Sequence, residues 1–411
     1  MATARVTLAQ RIGRGHLYPP PVPSPRTPHG RALIGVFAAT LLGFVAVGAV
    51  LPVLPRYVRG PIGAGDLAVG IVVGAYTGAA LICRPLAGRA ADRRGRRITL
   101  VVGALLIALA GVLYLVPAGV PGLVITRLIL GIGEGAIVVA GSAWVVDLAP
   151  PDRRGQVIGL FGLGVWGGLA LGPPIGEGLL ALGGYSAVWA FAALGPLVGA
   201  LVAARLPDAH RPEPAGTKMP LLPGSALRPG VVIGLASVGY AAMAGFVVLH
   251  LAARGDGSGS AVFIAFAGTI VAARVLLGRA PDRFGSRRTA VAAGTAETAG
   301  LIIIGLAGSW PVAALGGVVM GAGFSVLYPA LALLVLEGAD DRSRGAALGA
   351  FSAFFDIGVG VGAPLAGAVA SVWGYPSVFY MAAAFAATGA AFSFVGARAR
   401  VPQALEAPSP A

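Results

Sequence analysis

Gly88-Arg89-Ala90-Ala91-Asp92-Arg93-Arg94-Gly95 returns later in the chain as Gly278-Arg279-Ala280-Pro281-Asp282-Arg283-Phe284-Gly285, an offset of 190 residues. The same offset pairs residues well outside these octapeptides. It matches Arg84 with Arg274, Gly131 with Gly321, Gly133 with Gly323, Asp147 with Glu337, Arg154 with Arg344, Gly168 with Gly358 and Gly172 with Gly362. Matching of this extent marks a chain made from two copies of one unit. Around the repeat lie apolar blocks of about 20 residues, the length a bilayer-spanning helix needs. They begin near residues 32, 67, 98, 122, 155, 184, 230, 259, 289, 311, 345 and 376, six in each unit. A parallel repeat of six helices predicts two similar bundles related by an axis along the membrane normal, a transporter design with the substrate site between the halves.

Composition agrees with that reading. Hydrophobic residues make up 57% of the 411 and charged residues only 11%, against about 25% charged in ordinary soluble domains. Alternation with period two, the mark of an outer-membrane barrel, is missing. The expected fold is therefore all-α and integral to the membrane: twelve transmembrane helices as two six-helix repeats. The net charge of +14 raises nucleic acid as a partner, but the positions of the basic residues argue against it. With a cytoplasmic amino terminus, all but six lie in tails and inside loops; three (Arg56, Arg59 and Arg254) fall in outside loops and three within helices. The positive-inside rule then places both termini in the cytoplasm, and the basic residues form a collar flanking the membrane rather than a nucleic-acid face.

The expected organisation is a Pro- and Arg-rich cytoplasmic tail (1–30), a six-helix bundle (31–206), a cytoplasmic linker with six prolines (207–229), a second bundle (230–397) and a short tail (398–411). The apolar run at Ala32 is long enough to span and is read as the first helix, not as a signal peptide. Cys83 is the sole cysteine, which excludes an internal disulfide and a cysteine-based zinc site. The four histidines (His16, His29, His210, His250) are scattered, so neither a metal nor an enzyme's catalytic constellation is expected, and no cofactor. His210 and His250 sit at or beyond helix ends and are read as solvated. Gly131-Ile132-Gly133 with Ala136 fits a dinucleotide pattern, but no strand precedes it, and the nucleotide reading is discarded. The single lysine among thirty basic residues, with abundant Ala and Gly, suggests a GC-rich, bacterial genome.

These residues resemble the major facilitator superfamily, and within it the exporters of the drug:proton antiporter type. The stretch Gly88 to Arg97 is similar to the family's signature between the second and third helices. Arg127-Leu128-Ile129-Leu130-Gly131-Ile132-Gly133 resembles its fourth-helix motif, and Gly168-Leu169-Ala170-Leu171-Gly172-Pro173-Pro174-Ile175-Gly176 its fifth-helix antiporter motif. Glu177 stands where that last motif usually carries another glycine, which leaves exchange and symport both open. The resemblance implies a conformational latch between halves, built here from Gly88, Asp92, Arg93, Gly95, Arg97, Asp147 and Arg154, with Asp282, Arg283, Glu337 and Arg344 in the second copy. Residue chemistry fits: the glycines permit close approach of helix ends, and the acids can pair with arginine or cap a helix amino terminus. A simple topology anchor is the alternative. Gly168, Gly172 and Gly176 share one helix face, and Pro173 and Pro174 should kink that helix. Gly358, Gly362 and Pro364 repeat the arrangement, and both sets are read as sliding contacts where the halves rock, static packing being the alternative.

Charges inside the spans without a counterpart at the offset are local additions and functional candidates, because burying one costs about 2.5–3.5 kcal/mol or more. Arg127 and Glu134 lie on one helix face, roughly 10.5 Å apart along the axis. Glu134, near mid-membrane, is the first candidate for a proton carrier, with Arg127 tuning it; a permanent ion pair is the alternative. Asp356, about 16 Å into its helix, is the second candidate. Glu297 lies in a helix that is peripheral in the family, so structural hydrogen bonding is expected there, and Glu177 is read as solvated near the outer surface. In the family, helices one, four, seven and ten line the cavity; here they carry Phe37, Phe44, Tyr240, Met243, Phe246, Phe324 and Tyr328. That apolar wall with one acid and one base favours an amphipathic organic substrate over a sugar.

The expected function is secondary active export of a small organic or amphipathic compound by proton antiport with alternating access, in the bacterial inner membrane, by a monomer whose partners are substrate, protons and lipid. Proton-coupled uptake of a small solute is the alternative. A non-transporting sensor or receptor would need an added soluble signalling domain, which the short tail and linker do not supply.

Overall fold

In hydrocarbon every backbone polar group must be satisfied within the protein, and a helix does so locally. The computed structural model describes residues 28–150, 154–208, 222–340 and 344–395, and they are helical almost throughout. The helices are α1 (Pro28–Val50), the short α2 (Leu54–Arg59), α3 (Asp66–Arg94), α4 (Arg96–Leu113), α5 (Gly119–Leu148), α6 (Arg154–Ala204), α7 (Gly224–Ala252), α8 (Gly259–Leu277), the short α9 (Ala280–Phe284), α10 (Ser286–Leu306), α11 (Trp310–Glu337), α12 (Arg344–Trp373) and α13 (Tyr375–Val395). Most of the two tails and the linker, together with His16, His210 and the side chain of Arg154, lie outside the described residues.

Eleven of these helices are long and apolar enough to cross a membrane. The longest, α6, has 51 residues, about 77 Å at 1.5 Å per residue and more than twice a hydrocarbon core of roughly 30 Å. It is broken at Gly183 and Gly184, where Gly184 takes φ +64°, a left-handed conformation that costs glycine nothing. Counting both arms gives twelve spans, each beginning within two turns of its expected start. The surface is inverted relative to a water-soluble protein: Leu182 and Leu276 are 88% and 79% exposed, whereas Arg127 and Glu297 are fully buried. Only a hydrocarbon solvent makes that distribution favourable.

The helices approach closely through small residues. A Cβ on Gly133 of α5 would sit 2.6 Å from the Gly103 carbonyl of α4, and one on Gly316 of α11 would sit 2.7 Å from the Gly300 carbonyl of α10. Further packing joins α1 to α6, α3 to α5 and α12, α7 to α12 and α13, α8 to α6 and α11, and α10 to α13. One set of contacts ties α1–α6 to α7–α13 at the end of the bundle where α3 begins. There a Cβ on Gly74 would meet the Gly360 carbonyl at 2.9 Å, and one on Gly367 the Asp66 carbonyl at 2.5 Å. Tyr375 donates to Asp66 at 2.9 Å, and Arg56 reaches the Ser260 hydroxyl at 3.5 Å.

At the opposite end lie the duplicated loops. Gly95 and Gly285 have φ +101° and +87°, so each copy ends its octapeptide on a glycine in a conformation that other residues rarely adopt. The next helix, α4 or α10, starts at once.

Candidate functional site

Four charged side chains gather where α3, α5 and α12 meet. Arg127 of α5 is fully buried and donates to the carbonyls of Val72 at 3.1 Å and Val73 at 3.3 Å in α3, with its guanidinium 4.4 Å above the Tyr76 ring. Gly131, one turn further along α5, makes this possible: it faces the Tyr76 carbonyl so closely that any Cβ would collide with it. Arg127 therefore spends its hydrogen bonds on α3 and not on Glu134, which differs from an ion pair along one helix face. Glu134 has one carboxylate oxygen buried with no hydrogen-bond partner among the described residues, and the cations acting on it are Arg84 and Arg127.

Arg84 is the residue that the repeat concealed. Its Nη2 donates to Asp356 at 3.1 Å, an ion pair between α3 and α12 in which the aspartate side chain is 3% exposed. Because Arg84 has a counterpart in Arg274, the offset assigns it to common scaffold; its presence inside an apolar span was the signal to the contrary. Arg274 behaves differently, donating to the Ser325 carbonyl at 3.1 Å with its guanidinium 5.7 Å from the Trp166 ring. Burying a charge requires a partner. Asp356 has found one in the other half of the chain, while Glu134 is held by field alone.

Beside the charges stands an aromatic cluster. Trp166 of α6 meets Tyr240 (α7), Phe324 (α11) and Phe355 (α12) edge-on at centroid distances of 6.5, 5.8 and 6.5 Å, and Tyr240 stacks on Phe324 at 5.7 Å. Little space remains within it, a void of about 10 Å³ that Phe263 and Phe266 of α8 also line. Of the expected cavity residues, Tyr240 and Phe324 belong to this cluster. Tyr328 shares a hydrogen bond of 2.8 Å with Ser352 and packs on Phe351 at 5.0 Å. The other four are placed elsewhere, in helix packing: Phe37 against Gly164, Phe44 against Gly168, Met243 in the core, and Phe246 beside Tyr375. Hydropathy cannot tell which face of an all-apolar helix turns inward, and so does not mark Trp166 and Phe355 as members of the cluster.

The loop network centres on Arg96, another residue absent from the expected set. It donates to Asp147 at 3.2 Å and bonds Asp92, tying α3, α4 and α5 together. In the second copy a serine replaces the arginine, and Ser286 donates to Glu337 at 3.1 Å. Arg97 donates to the Leu206 carbonyl at 3.2 Å, Gly88 lies beside Val139, and Arg283 stacks on Phe284 at 5.5 Å. Arg93 and Asp282 are exposed. The glycine faces seat neighbours within α1–α6 or within α7–α13. A Cβ on Gly168 would lie 2.6 Å from Phe44, one on Gly172 2.5 Å from Ala49, and one on Gly362 3.1 Å from Val238, while Gly176 faces Ala49 and Gly358 faces Gly234. Pro173 and Pro174 lie inside α6 and Pro364 inside α12. Pro364 touches the other half, its ring 3.0 Å from a Cβ on Gly74, in the contact that Gly70, Gly360 and Gly367 also form.

Three further expectations are corrected. Glu177 is ion-paired with Arg56, each side chain 25% exposed, and is not simply solvated. His250 is buried, with Nε2 3.0 Å from the Ile304 carbonyl and 3.1 Å from Arg254, because α7 ends beneath the α10 terminus. Glu297 is fully buried but neither of its oxygens has a hydrogen-bond partner among the described residues, since α7 and α11 present Gly239, Met320 and Gly323 there.

A family model described as Major Facilitator Superfamily matches residues 36–257 and again 230–410. The chain belongs to the major facilitator superfamily. It is 34% identical over 370 residues to an uncharacterized MFS-type transporter of Salmonella typhimurium, covering 87% of this chain and 95% of the relative. It is 33% identical over 391 residues to an uncharacterized MFS-type transporter of Burkholderia mallei, covering 91% and 94%. The structure of a D-xylose-proton symporter superposes with a TM-score of 0.73 at 16% identity, covering 89% of this chain and 97% of that one. The transporter is thus a multi-pass membrane protein with bacterial relatives, it moves a small molecule, and it is not an enzyme.

Proposed function

We propose that this transporter exports a small organic or amphipathic compound from the cytoplasm of a bacterial cell by proton antiport, alternating access to a central site as a monomer in the inner membrane. The observation that carries the reading is the Arg84–Asp356 pair between α3 and α12, with the unpartnered Glu134 oxygen beside it. Protonating Asp356 neutralises one side of the pair, and the tie between α3 and α12 then loses its electrostatic part. Glu134 supplies a second carboxylate, with Arg127 and Arg84 as its fixed field. A substrate seated against Trp166, Tyr240 and Phe324 comes into the same region, so that proton and substrate occupy it in turn.

The reading of two six-helix bundles, 31–206 and 230–397, is supported by contacts that recur at the offset of 190. Gly131 faces the Tyr76 carbonyl, and Gly321 faces that of Phe266; Gly133 faces Gly103, and Gly323 faces Ala293. The double match of one family model points the same way. With the arginine-rich loops in the cytoplasm, the contacts of Asp66, Gly70 and Gly74 close the outer side. Asp92, Arg96 and Asp147 in one half, with Ser286 and Glu337 in the other, are the groups available to the inner latch, each network bonded within its own half while the outer side is closed.

The test uses proteoliposomes with an imposed pH gradient, screened against chemically diverse compounds while internal pH is recorded. The reading predicts protons moving against the substrate's direction. Protons and substrate moving together would replace it with uptake by symport, and substrate flux without proton flux would remove coupling altogether.

A further inference from the structure

A second feature lies on the lipid-facing surface, away from the central charges. Between α10 and α13 runs a groove of about 310 Å³, within the range of small-ligand sites, roughly 300–1,000 Å³, walled by Val291, Thr295 and Thr298 on α10 and by Ala387, Ala391 and Phe394 on α13. Its only polar atoms of note are already spent: the Thr295 and Thr298 hydroxyls donate to the carbonyls of Val291 at 2.9 Å and Gly294 at 2.8 Å. What the groove offers is hydrocarbon. Arginines crowd its loop end. Arg287, one turn before Val291, donates through Nε to the Ser393 carbonyl at 2.9 Å, while its Nη2 is buried and has no hydrogen-bond partner among the described residues. Arg228 donates to the adjacent Phe392 carbonyl at 2.5 Å and stacks on its ring at 5.0 Å, and the exposed Arg288 follows Arg287. The nearest acid on α11, Glu337, takes its bond from Ser286 on the face of α10 turned away from the groove.

Among the described residues, helix-terminal carbonyls account for one nitrogen of Arg287 and one of Arg228, and no carboxylate is bonded to either. A cationic cluster one helical turn from the end of an apolar groove between α10 and α13 matches an amphiphile with an anionic head and an acyl tail. From Arg287 to Thr298 is about 16 Å along α10, half the roughly 30 Å hydrocarbon thickness. We propose that this groove is a binding site for an anionic phospholipid, its phosphate held by Arg287 and Arg288 with Arg228 alongside and one acyl chain lying along Val291, Thr295 and Thr298. Basic pockets between helices are suited to such headgroups, and a ligand bound only by the native state raises its melting temperature.

The test is thermal unfolding of the full-length protein in a neutral detergent, with added phosphatidylglycerol, phosphatidylcholine of the same chains, or glycerol phosphate alone. Phosphatidylglycerol should raise the midpoint by several degrees more than phosphatidylcholine, and glycerol phosphate should leave it unchanged. R287Q/R288Q should remove the difference between the lipids. Because Arg287 also caps α13, A387W serves as the second variant: it fills the groove at an exposed position, keeps every arginine, and should abolish the same difference. Equal stabilisation by the two lipids, an equal effect from glycerol phosphate, or persistence of the difference in A387W would overturn the proposal.

Discussion

At the scale of single residues, the decisive fact is which charges found partners. Removing one member of a buried ion pair strands the other, at a cost of several kcal/mol, whereas removing both is far milder. Asp356→Asn and Arg84→Gln should each lower stability by about 2 kcal/mol or more, with the double variant closer to wild type than either single; thermal melts in detergent measure all three. An additive double variant would show that the pair at 3.1 Å contributes no coupling. Glu134→Gln keeps shape and hydrogen-bonding capacity but has no titratable proton, so it should abolish gradient-driven accumulation while preserving binding of a neutral substrate. Accumulation undiminished in Glu134→Gln and lost in Asp356→Asn would remove Glu134 from the coupling and leave Asp356 as the sole carrier. Glu134 and Asp356 were legible as charges inside apolar spans. Arg84 was not, because a residue matched at the repeat offset looks like scaffold until its partner across α12 is seen. The bonds of Arg127 were equally hidden, since they end on backbone carbonyls, which sequence does not distinguish.

At the scale of helices and loops, glycine placement sets what can move. Gly172 of α6 lies against the Gly48–Ala49 backbone of α1, where a Cβ would sit 2.5 Å from the Ala49 nitrogen. Gly172→Leu should therefore block transport chiefly by forcing α1 and α6 apart, with a reduced folded yield visible by size-exclusion chromatography; a normal yield with wild-type rates would refute the contact. The loop network offers a subtler test. Arg96 holds both Asp92 and Asp147, and partly exposed pairs of this kind contribute about 0.2–1 kcal/mol each. Arg96→Gln loses both of these pairs and Asp92→Asn weakens the same network, so turnover should fall in each, while membrane insertion is unchanged in both. Equal, wild-type turnover in the two variants would reduce the loop to a topology anchor. The twelve spans and the Gly95 and Gly285 turns were readable because span length and the glycine pattern follow from local chemistry. The faces of helices were not: Phe44 and Phe246 look like cavity residues in an apolar sequence and turn out to pack.

At the scale of the molecule, the two halves meet through glycine contacts at the Asp66 end and an ion pair at mid-depth, while at the far end each loop network bonds within its own half. Alternating access requires that one end open as the other closes, and a proton on Asp356 is the proposed trigger, acting by shifting a two-state equilibrium. The sole cysteine, Cys83, makes this measurable once replaced by serine. Spin labels at the exposed positions Arg93 and Arg283 report the loop end, and labels at the exposed Pro61 and Ser309 report the Asp66 end. Distance distributions from double electron–electron resonance in nanodiscs, recorded at high and low pH, test the central claim most directly. The account predicts that lowering the pH shifts the two distances in opposite directions, and that Asp356→Asn, fixed in the uncharged form, gives the low-pH distributions at every pH. Distances that change together, or a pH response that persists intact in Asp356→Asn, would contradict it.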